Sequence, residues 1–341
     1  MSRRFLPYLS NLGLLILAVI FSLAIGSVLI SPENLWQILR SWMTHTPLPA
    51  GLETYGFIIS DIRLPRTILV LLTGAALGGS GTAYQGLFRN PLADPYLIGV
   101  ASGGGLGAVL AMSINWPYTF WGLMAVPLSA FLFAMLTVLL VYSLARVGKS
   151  VPTTNLILAG VAFSAFATAL TSYLIISSEG EVRRALNWLM GGSNQSSWLT
   201  VLAVLPYLVL GLGFLLFNGH ALNLLQFGDD QAQQLGLPVT RTKTLLLVAA
   251  SLATAAAVSF SGIIGFIGLI VPHVMRLWWG ADYRRLLPLA MLAGGSFLIV
   301  ADILARIVLR PQELPVGIVT ALAGAPFFLW VLRRTKTQGY W

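Results

Sequence analysis

Gln85-Gly86-Leu87-Phe88-Arg89-Asn90-Pro91-Leu92-Ala93-Asp94-Pro95-Tyr96-Leu97-Ile98-Gly99-Val100 joins two long apolar runs, and its reading decides the architecture. Pro91 and Pro95, four apart, end one helix and force extended backbone ahead of the next. A break at membrane depth frees N–H and C=O groups where no water can satisfy them. The polar residues of the string can take those bonds. A purely structural turn would carry the same residues.

The surrounding composition is that of a bilayer protein. Of 341 residues, 57% are hydrophobic and 9% charged, against about 25% charged in a soluble domain. A membrane helix needs about 20 mostly apolar residues. Ten stretches qualify, near 9–30, 67–87, 95–112, 119–144, 155–176, 198–217, 244–260, 264–279, 286–309 and 315–332. The third is glycine-rich, and Ser261-Gly262 divides the seventh from the eighth. Arg3 and Arg4 precede the first stretch, which is too long for a signal-peptide core and is expected to stay as a span. The expectation is an all-α polytopic membrane protein of about ten helices, with residues 1–341 forming one transmembrane domain.

Ten spans place both termini on one side. With that side cytoplasmic, thirteen Lys/Arg and four acids lie inside, and seven of each lie outside. The whole formal excess of +9 then sits on the inner face, as the positive-inside rule requires. The same excess does not indicate nucleic acid, because the basic residues stand singly or in pairs between apolar runs. The expected location is the inner membrane of a bacterial or archaeal cell, with membrane lipid as a partner.

Small residues recur at helical spacing. Gly74 and Gly78 share a face, as do Gly99, Gly103 and Gly107, which suits close helix packing. Thr67-Ile68-Leu69-Val70 and Thr244-Leu245-Leu246-Leu247 open spans that run in opposite directions. They are compatible with an inverted repeat of spans 2–5 and 7–10, a common transporter plan.

No catalytic constellation is present. The chain has no cysteine, so it has no disulfide, zinc-thiolate site or thiol nucleophile. His45, His220 and His273 are scattered, and a metal site needs several ligands. His273 is expected to make a structural hydrogen bond. Gly148-Lys149-Ser150 lacks the upstream glycine and the strand of a phosphate loop. No cofactor is expected, and any ATP must be bound by another chain.

Three further segments stand out. Arg63-Leu64-Pro65-Arg66 puts two arginines at the outer mouth of the second span. These arginines suit either interfacial anchoring or an acidic docking partner. Gly228-Asp229-Asp230-Gln231-Ala232-Gln233-Gln234-Leu235-Gly236 reads as a short helix in the longest inner loop. Asp229 is expected to cap its start and Gly236 its end. Ala232 and Leu235, three apart, are expected to share a face. Glu313-Leu314-Pro315 opens the last span, and Pro326 interrupts it.

Together the strings RLPR, QGLFRNPLADPYLIGV, GFIGLIVPHVMR, ADILAR and ELPVGIVTALAGAPFF occur in this order from about Arg63 to Arg334. The ordered set resembles the permease family that imports ferric siderophores, haem and vitamin B12 as part of ABC transporters. The resemblance implies ten helices per subunit, a homodimer with the path at its interface, two copies of a cytoplasmic ATPase and a soluble or lipid-anchored substrate-binding protein. It implies that Arg63, Arg66 and Arg306, with Arg310 as alternate, meet acids on the binding protein. It also implies that Gly228, Asp229, Asp230, Ala232, Leu235 and Gly236 form the coupling element to the ATPase, with Asp229 where the family has glutamate. A ferric chelate is the expected substrate, with cobalamin or haem as the alternative. An ion-coupled secondary transporter would bury a charge near the midplane, and Asp94 and Asp302 fall near span ends instead.

Overall fold

The computed structural model describes residues 5–114, 116–117, 119–148, 151–178, 180–192 and 196–336. Arg3, Arg4, Lys149 and Ser150 lie outside the described residues. The elements are α1 (Leu6–Ala24), α2 (Pro32–Thr44), α3 (Glu53–Phe57) continued by a π-helical turn (Ile58–Arg63), α4 (Leu64–Phe88), a 3-10 turn (Pro95–Ile98), α5 (Val100–Met112), α6 (Phe120–Ala145), α7 (Thr153–Ser177), α8 (Val182–Leu189), α9 (Trp198–Phe217), α10 (Gly219–Leu225), α11 (Asp229–Gln234), α12 (Val239–Ser261), α13 (Ile267–Trp279), α14 (Tyr283–Ile307) and α15 (Val316–Lys336). Ten of them, α1, α4–α7, α9 and α12–α15, overlap the ten expected spans, the first ending at Ala24 where 30 was expected. Six (α1, α6, α7, α9, α12 and α14) are long and apolar enough to cross a bilayer unaided.

The remaining four differ for physical reasons. α4 is the centre of the bundle and is buried almost continuously from Thr73 to Leu87. Protein surrounds it on all sides, so it needs small residues more than apolar ones. α5 and α13 have 13 residues each, about 20 Å of helix against about 30 Å of hydrocarbon. The 3-10 turn completes the first, and the non-helical residues 262–266 complete the second. The two breaks meet. Tyr96 Oη donates to the Ile264 carbonyl at 2.9 Å and lies 3.3 Å from the Ile264 N–H as its acceptor. Gln85 Nε2 donates to the Gly268 carbonyl at 3.3 Å, while Gln85 Oε1 accepts from Arg276 at 2.8 Å. Asp94 accepts from the Tyr96 N–H at 2.7 Å. The polar residues of the 85–100 string thus bond backbone freed by the breaks. α15 begins at Val316 and carries Pro326 within it.

Helix lengths of 25, 13, 26 and 25 residues in α4–α7 recur as 23, 13, 25 and 21 in α12–α15. The spatial relation between the two sets stays an expectation. α1 begins and α15 finishes at the end of the bundle that holds α11. α1 runs away from that end to meet Thr67 and Arg306 through Ser22, and α15 starts beside Met190 at the opposite end and returns. Residues 218–243, expected as a loop with one short helix, form two helices, α10 and α11, and the first turn of α12, and His220 lies in α10.

Glycines set the closest helix approach. A Cβ on Gly74 would overlap the Gly294 carbonyl, and one on Gly78 the Ala290 carbonyl. Gly99 and Gly103 likewise face Thr137 of α6. Gly78→Leu should therefore push α4 and α14 apart, an overpacking cost of about 1–3 kcal/mol or more. Gly213→Leu, on α9 with open space where its Cβ would point, should be tolerated. Survival of monodisperse protein after heating in detergent checks the pair. Equal survival of both variants would show that this seam does not limit stability.

Candidate functional site

At the end of the bundle away from α11, four segments bring charges together. Arg63 closes the π-helical turn and faces α1. Its Nη1 donates to the carbonyls of Leu23 at 2.5 Å and Ala24 at 3.0 Å, and its Nη2 donates to Val28. Arg306, on the last turn of α14, donates to the carbonyls of Ser22 at 3.3 Å and Ile25 at 3.1 Å and to Ser22 Oγ at 2.8 Å. Both guanidinium groups therefore cap the C-terminus of α1, where orphan carbonyls and the negative helix pole favour a cation. Burial, followed by the nearby charges of Arg306 and Arg310, pushes the Arg63 guanidinium down to about 10, so it stays charged near neutrality.

This placement corrects the expectation of three outward arginines. Arg63 is 5% exposed and Arg306 4%, because α1 takes up their donors. Only Arg66 is partly open. Its Nε and Nη2 donate to Asp302 Oδ1 at 3.1 and 2.9 Å, and its Nη1 donates to Glu313 Oε2 at 2.7 Å. Asp302 also pairs with Arg306 at 3.0 Å. Asp302 and Glu313 were not picked out as partners from sequence. Asp302 and Arg306 stand one helical turn apart, acid first, which is a readable ion-pair signal. Glu313 is 247 positions from Arg66 and gives no such signal. The cluster borders a cavity of about 340 Å³ whose lining includes Arg66, Arg183, Asn187, Asp302, Gln312 and Glu313.

At the other end, Gly228 holds a φ of +101° and occupies the position before α11, and Gly236 at +87° ends it. The Gly236 N–H donates to the Gln233 carbonyl at 2.9 Å and that of Leu237 to the Ala232 carbonyl at 3.0 Å. Asp229 does not cap the helix. Its carboxylate accepts from Lys243 Nζ of α12 at 2.6 Å, tying α11 to a membrane helix. Asp230 is exposed. Ala232 is fully buried and Leu235 is 61% exposed, so the two do not share an open face. Leu235 falls just past the last helical residue, where the 3.6-residue period no longer applies.

A third feature lies between the two ends. A shallow groove of about 410 Å³ runs past Asp94, Tyr96, Val161, Ser164, Phe266 and Leu269. Phe266 adopts a left-handed φ of +71°, rare for a bulky residue, and its ring fills the space that Gly324 of α15 leaves by lacking a Cβ. Beside the groove, α7 exposes Ala162, Ala165, Thr168, Ala169 and Ser172 on one face and Phe166, Leu170 and Tyr173 on another. Large side chains suit lipid, and small ones suit another helix or an open path. His273 makes no hydrogen bond among the described residues and instead lies edge-on to Phe327, with centroids 6.2 Å apart. Among the described residues, no three His, Cys, Asp or Glu gather as metal ligands.

The chain is 47% identical over 293 residues to the cobalamin import system permease BtuC of Halobacterium salinarum, covering 86% of this chain and 78% of that protein. It is 40% identical over 345 residues to the hemin transport system permease HmuU of Yersinia pestis, covering 99% of each. A solved inward-facing metal-chelate type ABC transporter superposes with a TM-score of 0.83 at 32% identity, over 96% of this chain and 98% of that one. The model of the FecCD transport family matches residues 14–334, and the chain belongs to that family.

Proposed function

We propose that this FecCD-family permease is the membrane subunit of a binding-protein-dependent ABC importer that carries a ferric siderophore or a similar iron chelate across the inner membrane. One observation carries the substrate class. The groove beside α7, of about 410 Å³, is lined mostly by apolar residues with Asp94 as its one acid, which suits a bulky chelated metal better than a bare ion. The relatives named for cobalamin and hemin, and the structure of metal-chelate type, share that chemistry of a metal inside an organic shell. Cobalamin or haem is therefore the alternative cargo. In this reading two copies of the chain pair, two ATPase subunits dock at the α11 end, and a binding protein docks at the arginine end. The positive-inside count supports a cytoplasmic α11 end, and both termini with it.

Reconstituted with ATPase and binding protein in liposomes, the permease should take up labelled ferric chelate only with ATP. Competition by unlabelled cobalamin or haem ranks the cargoes. Uptake driven by a proton or sodium gradient alone would make it a secondary transporter and overturn the reading.

The coupling contact is proposed at Leu235 and Phe227, both exposed beside α11. Leu235→Asp should put a charge into the ATPase contact while changing permease stability by only about 0.5 kcal/mol or less. ATPase co-purification and ATP-driven uptake should fall. Ala232→Asp buries an unpaired carboxylate and should lower the yield of folded permease itself. Co-purification at wild-type level with Leu235→Asp would remove α11 from the contact. For the binding protein, Arg66 is the residue through which docking is testable, because reversing Arg63 or Arg306 strands buried charge and disturbs the fold.

A further inference from the structure

The cavity at the arginine end contains a carboxylate position that the chain already fills. Arg66 serves two acids, and they are unequal. Asp302 is buried and shared between Arg66 and Arg306. Glu313 is exposed, sits on the connection between α14 and α15, and makes no other ion pair among the described residues. Losing Asp302 would leave buried charge unpaired, whereas losing Glu313 gives up one surface pair. The Nη1 position of Arg66 is thus the exchangeable one. Arg183 lines the same cavity, is exposed, and makes no ion pair among the described residues. The lining itself holds two arginines and two acids, but Asp302 is also paired with Arg306 behind it, so Arg183 is the cation left without an acid among the described residues, which suits an acidic partner.

We propose that this cavity is a socket for a carboxylate side chain of the outer binding protein, and that Glu313 is its built-in competitor. Docking exchanges one carboxylate for another at Arg66 Nη1, and Arg183 supplies the second cation. Glu313 stands two residues before Pro315, at the opening of α15. Its release removes one tie on that opening, while the bonds from the Leu314 N–H to the Ala305 carbonyl and from the Gly317 N–H to the Met190 carbonyl, each 3.0 Å, hold the rest. Docking is thereby felt at the start of the helix whose Gly324 seats Phe266. The inference rests on the importer reading above.

The test is a double-mutant cycle on the full-length permease in nanodiscs, with the substrate-binding protein of the same transport system as probe. Glu313→Gln keeps size and fold and removes the competitor. Binding at low salt should tighten roughly two- to fivefold, the worth of one exposed ion pair. In an Arg66→Gln background the same change should have no effect, because the contested donor is gone. Arg183→Gln should weaken binding in both backgrounds. An equal gain from Glu313→Gln with and without Arg66 would reduce the effect to general surface charge and overturn the exchange. So would no gain at all when the wild-type pair binds. If the wild-type pair does not bind, the importer reading fails and the exchange falls with it.

Discussion

Every backbone N–H and C=O inside the bilayer must find its partner within the protein, and this fold is organised by the places where a regular helix cannot supply one. Two short helices, α5 and α13, are completed by non-helical backbone. The hydroxyl of Tyr96 joins the two breaks at Ile264, and Gln85 takes the carbonyl of Gly268. At the arginine end of the bundle α1 ends before Ile25, and Arg63 and Arg306 cap its carbonyls. Charge inside a low-dielectric bundle is costly alone, and here it is spent on orphan dipoles.

That constraint explains why an expected surface motif lies inside. An arginine beside a span mouth can face outward to a partner or inward to a helix end. α1 presents its carbonyls to Arg63 and Arg306, so both turn inward. Arg66 lies between Asp302 and Glu313 and keeps one face toward the cavity. The rim at this end is a network of ion pairs in which Asp302 is buried and Glu313 is exposed.

The α11 end is built differently. α11 is too short to hold itself together by its own hydrogen bonds. The fully buried Ala232 and the pair between Asp229 and Lys243 fasten it to the bundle, while Phe227 and Leu235 remain outside. The open face of α11 itself is polar, with Asp230, Gln231, Gln233 and Gln234, and the exposed apolar side chains flank it on either side. The groove between the two ends borders the Phe266 break, so movement of α12 or α15 bears on the same place.

The sequence by itself determined the order of the ten long helices, with ends displaced by up to six residues (9–30 against Leu6–Ala24 for the first), because hydropathy over about 20 residues reports solvation by lipid directly. It also marked the 85–100 break, since proline acts through its own backbone. It could not determine which way Arg63, Arg66 and Arg306 face. Their direction depends on where α1 ends in space and on Asp302 and Glu313, contacts between residues far apart in the chain. Nor could it separate Ala232 from Leu235, because helical periodicity assigns faces only while the helix lasts, and α11 stops at Gln234. Local chemistry wrote the spans, and the packing of α1 against α4 and α14 decided what the charged residues between them touch.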